Sequence, residues 1–184
     1  MTPSKDLGRR VKNILLTGRP GVGKTTVIEY VVREFENKAG GFVTGEIREG
    51  RVRKGFRITS LDGNTATLAH IKSDSPVRVG KYGVSTRAFE SVALPALRRA
   101  LERKQIVVVD EIGKMEIASE KFRRAVVEVL DSSCPVIATV PQHRDSFTDE
   151  IKRRGDVALF EVTSKNRSSL PTIIERSLQE ICSA

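Results

Sequence analysis

Short apolar runs alternate with helical stripes along most of this chain, and that alternation predicts a layered α/β fold. Residues 13–17 (Asn-Ile-Leu-Leu-Thr) form an apolar run ending at a glycine, the pattern of a strand buried in a parallel sheet. Over 24–35 the apolar residues Val27, Ile28, Val31, Val32 and Phe35 recur with helical spacing. The next stretch, 41–68, is rich in Gly, Thr, Val and Arg. Alternating runs such as Gly55-Phe56-Arg57-Ile58-Thr59 replace the helical stripe, and Glu49-Gly50 and Asp62-Gly63 mark turns. This predicts an antiparallel β excursion around 41–84, inserted into the α/β core.

Helical spacing returns over 85–102, with Phe89, Val92, Leu94, Leu97 and Leu101, while Pro95 inside it predicts a kink or a late start. Residues 106–109, 136–139 and 159–162 read as further parallel strands. Ser119 is suited to cap a helix running to about Leu130. Residues 145–154 suggest a polar helix and 170–181 an amphipathic one. Strands alternating with helices imply a three-layer α/β/α sandwich around a mostly parallel sheet. At 184 residues the chain fits one domain. Ligands of such sheets bind beyond the carboxyl ends of the strands, which is where two motifs fall.

The first motif is Gly18-Arg19-Pro20-Gly21-Val22-Gly23-Lys24-Thr25, which matches the phosphate-binding loop G-x-x-x-x-G-K-[ST] at every fixed position. Its glycines let the backbone curl so that successive N–H groups point at phosphate oxygens, and the following helix adds its positive end. Lys24 is the cation for the β and γ phosphates. Thr25 offers a hydroxyl to Mg²⁺, and Thr26 follows it into the helix.

The second motif is the strand 106–109 ending in Asp110-Glu111, the Walker B pattern. Asp110 is the expected second Mg²⁺ ligand, through water. Glu111, beside it, suits a general base orienting water for in-line attack on the γ-phosphate. That favours a hydrolase. A nucleotide or small-molecule kinase is the rival, and it needs room for an acceptor and exclusion of water. Asn166-Arg167 either hold the nucleotide base or form a helix-capping loop, and Arg167 or Arg144 could act on the γ-phosphate. Lys114 either closes over the phosphates or is solvated. His70 and His143 have no partner pattern and read as surface residues.

Composition narrows the picture modestly. Aromatic residues make up 5%, so Val, Ile and Leu must build the core. The net charge of +9 is either a solvated, charge-rich surface or one that attracts polyanions: nucleotides, nucleic acids or acidic membranes. It admits a nucleic-acid-associated switch, but no aromatic residues are interleaved with the basic ones. Cys134 and Cys182 lack metal-site spacing and fit a reducing compartment. No apolar run is long enough to span a bilayer, so a cytoplasmic monomer is expected, with a basic lead over residues 1–10.

Taken together the motifs resemble the nucleoside-triphosphatase family first described in thermophilic bacteria and archaea, whose human member is called cancer-related nucleoside triphosphatase. The likeness rests on Gly21 to Thr26, Gly41-Phe42-Val43-Thr44 with Glu46 and Arg48, Gly55-Phe56, Leu61-Asp62-Gly63 and Val79-Gly80-Lys81-Tyr82. It continues through Asp110-Glu111-Ile112-Gly113-Lys114-Met115-Glu116, its most specific run, to Asn166-Arg167. The resemblance implies a P-loop fold of the RecA-like group. It also implies Mg²⁺-dependent hydrolysis of nucleoside triphosphates (ATP, GTP, CTP or UTP) to the diphosphate and phosphate, with loose choice of base. By motif match, Glu111 is the catalytic glutamate and Lys24 the loop lysine. Arg19 departs from the pattern, since similar sequences often have a small or uncharged residue there. It either tightens phosphate binding or faces solvent.

Overall fold

The computed structural model describes residues 11–183, so the basic lead expected over 1–10 lies outside the described residues. In chain order the elements are β1 (Asn13–Thr17), α1 (Lys24–Glu34), β2 (Ala39–Glu49), β3 (Val52–Ser60), β4 (Thr65–His70), β5 (Arg78–Val79) and β6 (Tyr82–Val84). They continue with α2 (Thr86–Glu102), β7 (Ile106–Val109), α3 (Glu120–Asp131), β8 (Val136–Thr139), α4 (Ser146–Lys152), β9 (Val157–Glu161) and α5 (Leu170–Cys182).

The described strands join one nine-stranded sheet in the order β5-β6-β4-β3-β2-β7-β8-β1-β9. The five strands from β2 to β9 in that order run parallel, and β3 to β6 extend the sheet antiparallel. Side-chain alternation along the central strands builds the two outer layers. Leu15, Val107, Val109, Val136 and Ala138 pack toward α2 and α3 on one face, around Phe89, Leu97, Phe122 and Val126. Ile14, Leu16, Ile106, Val108 and Ile137 pack toward α1 and α5 on the other, around Ile28, Val31, Ile174 and Leu178. The three-layer sandwich with a mostly parallel sheet is therefore the observed fold. Strand β8 lies between β1 and β7, so the two motif-bearing strands are not neighbours.

The antiparallel excursion expected around 41–84 is present, formed by β2 to β6, and it grows directly out of the parallel sheet. Ala39 to Phe42 of β2 pair in parallel with β7, and from Phe42 onward β2 pairs with β3, so one strand belongs to both parts. Gly40 and Gly41 hid this strand start, yet they are what permit it: a Cβ at Gly41 would stand 2.1 Å from the Val108 carbonyl oxygen.

Of the kink and the late start expected from Pro95, the late start is ruled out: α2 starts at Thr86 and runs through it. Pro95 and Ser91, the residue whose carbonyl it leaves unbonded, both lie on the exposed face, where water can satisfy that carbonyl. The last strand spans 157–161 rather than 159–162. It is the sheet edge, which leaves Leu159 46% exposed. Ser119 caps α3 as expected, its hydroxyl accepting from the Phe122 N–H.

Candidate active site

The glycine loop joins the carboxyl end of β1 to the start of α1. Gly23, the residue before the helix, has φ +113°, which a side chain would strain. At Gly18 a Cβ would meet the Val162 carbonyl oxygen at 2.5 Å, so the loop can pass the end of β9 only without one. Lys24 folds back into the curve. Its ammonium donates to the Gly18 carbonyl at 3.1 Å, and the residue is 9% exposed. Arg19 is exposed and does not line the cleft above the loop, so of its two readings the solvent-facing one fits.

The cleft encloses about 860 Å³ and is lined by Gly18, Pro20, Gly21 and Gly23 to Thr26 of the loop, by Glu111, and by a wall facing the loop. Asp110, the residue before Glu111 at the end of β7, does not itself line the cleft. It is buried, and its Oδ1 accepts from the Thr139 hydroxyl at the end of β8 at 2.5 Å. Its Oδ2 has no hydrogen-bond partner. Burial pushes the Asp110 carboxyl up to about 6, against the pull of Thr139, Thr25 and Lys24, with the Glu111 charge adding to the rise. Glu111 is half-buried. Burial raises its carboxyl above the ordinary range, and the Lys24 charge opposes that rise. The peptide between Asp110 and Glu111 is cis.

A third acid joins them. Glu116, expected only as part of a motif, is 6% exposed, and its Oε2 accepts from the Gly113 N–H at 3.2 Å. A Cβ at Gly113 would stand 2.6 Å from Glu111 Oε1 and 2.9 Å from Glu116 Oε2, so the two carboxyl groups converge on this glycine. Burial first, then the Glu111 charge, pushes Glu116 up to about 8. The signal in the sequence was an acid among apolar residues, Ile112, Met115 and Ile117.

Glu116 makes stability depend on pH. Its folded value lies above the ordinary 4.5, so between those values the folded chain keeps a proton that the unfolded chain has released. Stability therefore falls as pH rises from about 4.5 to about 8. Glu116→Gln cannot ionise and is expected to lose less stability over this range, by on the order of 3 kcal/mol. Chemical unfolding of both proteins at pH 5 and pH 8 checks this; parallel pH profiles would contradict it.

The remaining candidates separate. Asn166 serves its own loop: Oδ1 accepts from the Thr163 N–H and Nδ2 donates to the Glu161 carbonyl, both at 2.8 Å. The capping-loop reading is the one supported for it. Arg167 lies against the loop, its Cδ 3.9 Å from where a Gly23 Cβ would be. Arg144 is outside the cleft, paired with Asp149 at 3.5 Å and largely exposed. Lys114 is exposed. His143, expected as a plain surface residue, lines the cleft with Gln142. His70 does not; its Nδ1 accepts from the Lys72 N–H at 3.2 Å. Sequence patterns missed the facing wall of Thr44, Gly45, Glu46, Arg53 and Phe56, because it is assembled by strand pairing.

Known proteins share this architecture. The NTPase family model matches residues 13–175. The nucleoside-triphosphatase THEP1 of Thermotoga maritima is 50% identical over 157 residues, 85% of this chain and 90% of that protein. Its namesake from Thermofilum pendens is 42% identical over 177 residues, 92% and 97% of the two chains. The crystal structure of THEP1 from Aquifex aeolicus superposes with a TM-score of 0.85 at 36% identity, covering 90% of this chain and 98% of that one. The solution structure of a human cancer-related nucleoside triphosphatase gives 0.79 at 35% identity, covering 94% and 98%. With a family model spanning most of the chain and relatives at this identity, the chain belongs to the NTPase family.

Proposed function

We propose that this nucleoside-triphosphatase hydrolyses the terminal phosphoanhydride of ATP, GTP, CTP and UTP with Mg²⁺ and little regard for the base. The observation behind this reading is that the Glu111 carboxyl and the Lys24 ammonium line one cleft above a phosphate-binding loop. Loop N–H groups and Lys24 bind the β and γ phosphates. Glu111 orients a water in line with the γ-phosphorus and takes its proton as the new P–O bond forms.

The residues present fit a Mg²⁺ ion. Asp110 leaves a buried carboxylate oxygen unpartnered, and the Thr25 hydroxyl acts on the same carboxylate, giving the all-oxygen donors a hard cation takes. Asp110 and Thr25 would hold it, and when bound it would neutralise charge on the phosphates. Loose base choice is supported by Arg167 beside the loop: a guanidinium stacks on any base face, whereas Asn166 has its amide committed to backbone. Among the described residues no helix is long and apolar enough to cross a membrane.

Phosphate release from the four triphosphates, with and without Mg²⁺ and with a panel of nucleosides and nucleotides as acceptors, tests the reading. We expect release from all four, dependent on Mg²⁺ and unaffected by acceptors. Phosphate transfer that an acceptor accelerates would favour a kinase instead.

A further inference from the structure

Among the described residues one arginine, Arg53, lines the cleft shared by Lys24 and Glu111, and it does so from the facing wall. That wall exists because β2 outruns its parallel partner. β2 pairs with β7 as far as Phe42, opposite Val109, then continues to Glu49. At about 3.3 Å per residue, Thr44, Gly45 and Glu46 stand well beyond the strand end that holds Asp110.

A bulge then selects which β3 side chains face inward. Glu46 pairs with Phe56 and Ile47 with Gly55, but Arg48 pairs with Arg53, leaving Lys54 without an opposite residue. Simple alternation would send Arg53 and Phe56 to opposite faces, and one extra residue reverses that. Glu46, Arg53 and Phe56 accordingly all line the cleft.

The guanidinium is held in place. Nε donates to the Tyr82 hydroxyl at 3.1 Å and Nη1 to Glu46 Oε1 at 2.8 Å. Its central carbon sits 5.1 Å from the Phe56 ring centre and 5.8 Å from that of Tyr82. Among the described residues nothing accepts from Nη2. Glu46 also pairs with Arg48, so one carboxylate serves two cations and the group keeps a net positive charge. A planar cation fixed this way is already ordered before phosphate arrives. Arg144 points elsewhere, and Arg167 lies on the loop's own side.

We propose that Arg53 is an arginine finger supplied by the same chain, donating to an oxygen of the terminal phosphate as the phosphoanhydride breaks. The inference rests on the hydrolysis reading above. In the step, the water oxygen bonds to the γ-phosphorus and its proton goes to Glu111. The bond to the bridging oxygen breaks, with its electron pair leaving on the diphosphate. Arg53 forms no covalent bond and keeps its proton. It stabilises charge on the transferring group from the side opposite Lys24.

Arg53→Ala, assayed at saturating nucleotide, is expected to lose about 10²-fold in kcat, the size of one lost charge-stabilising donor, with nucleotide affinity little changed. Added guanidinium ion should restore part of the rate to this variant and none to the parent. Arg53→Lys should also be slow, because a point charge does not replace the fork. It keeps a cation beside Glu46, so it carries the test if the alanine variant fails to fold. Arg124→Ala, on the exposed face of α3 and outside the cleft, should keep parental kcat. A folded Arg53→Ala with parental kcat overturns the proposal. So does a loss that follows a lowered melting temperature and resists guanidinium. Glu111→Gln measured in parallel separates the two claims: if it is inactive while Arg53→Ala is active, only the arginine proposal falls. If Glu111→Gln is fully active, Glu111 leaves the mechanism and Arg53→Ala alone decides the arginine role; if the parent itself releases no phosphate from any of the four triphosphates, the hydrolysis reading falls and takes the arginine role with it.

Discussion

Glu111→Gln is expected to bind nucleotide as the parent does and to turn it over about 10³-fold more slowly, the loss typical of a removed general base. Glutamine is nearly isosteric, so the crowding at Gly113, 2.6 Å from Glu111 Oε1 to a would-be Cβ, is preserved. The amide can still orient a water but cannot accept its proton. The carboxylate at this position sits under opposing influences: burial raises its proton affinity and Lys24 lowers it. A kcat loss with unchanged nucleotide affinity, from single-turnover assays beside equilibrium binding, is the pattern of an interaction made only in the transition state. Unchanged turnover would remove Glu111 from the mechanism. A weakened affinity with normal kcat would make it a binding residue instead.

Lys24→Ala is expected to damage both binding and turnover, by about 10³-fold in kcat/KM. The ammonium is enclosed by the loop, and it reaches the Gly18 carbonyl from a site that is 9% exposed. Charge confined in so little water acts strongly on phosphate, and more so as negative charge moves during bond breaking. Lys24→Arg should recover little, because the loop's curve is shaped around a compact head on a straight stem. Titration of the variants with a non-hydrolysable triphosphate measures the binding share, and saturating turnover measures the rest. Parental affinity in Lys24→Ala would mean that the loop N–H groups alone hold the phosphates.

The parts of the candidate site differ in how legible they were. The glycine loop could be read because its groups come from adjacent residues: φ at Gly23 and the helix start at Lys24 are local matters. Asp110 and Glu111 were also readable, since an apolar strand ending in acid is a continuous pattern. Glu116 was visible only inside a motif, and its burial depends on how residues 110–116 fold back under the cleft. Asn166 shows the limit of motif carry-over. It was expected either to hold the base or to belong to a capping loop, and its amide is bonded to Thr163 and Glu161 backbone. Pro95 shows the same for a propensity rule. A proline on the exposed face of α2 leaves the buried side, Phe89, Val92, Leu97 and Ala100, able to hold the helix.

The amino-acid sequence by itself determined a phosphate-binding loop between a buried strand and a helix, and an acid pair at the end of another strand. Both follow from short-range backbone geometry and from the spacing of apolar residues. Only the tertiary structure decided what faces them. Pairing partners far apart in the chain put β8 between the two motif strands, so that Thr139 meets Asp110. They joined β2 to both halves of the sheet, and the unpaired Lys54 turned Arg53 toward the loop. Strand order and register come from which surfaces pack best across the whole sheet, and a one-residue change in register reverses every side chain that follows.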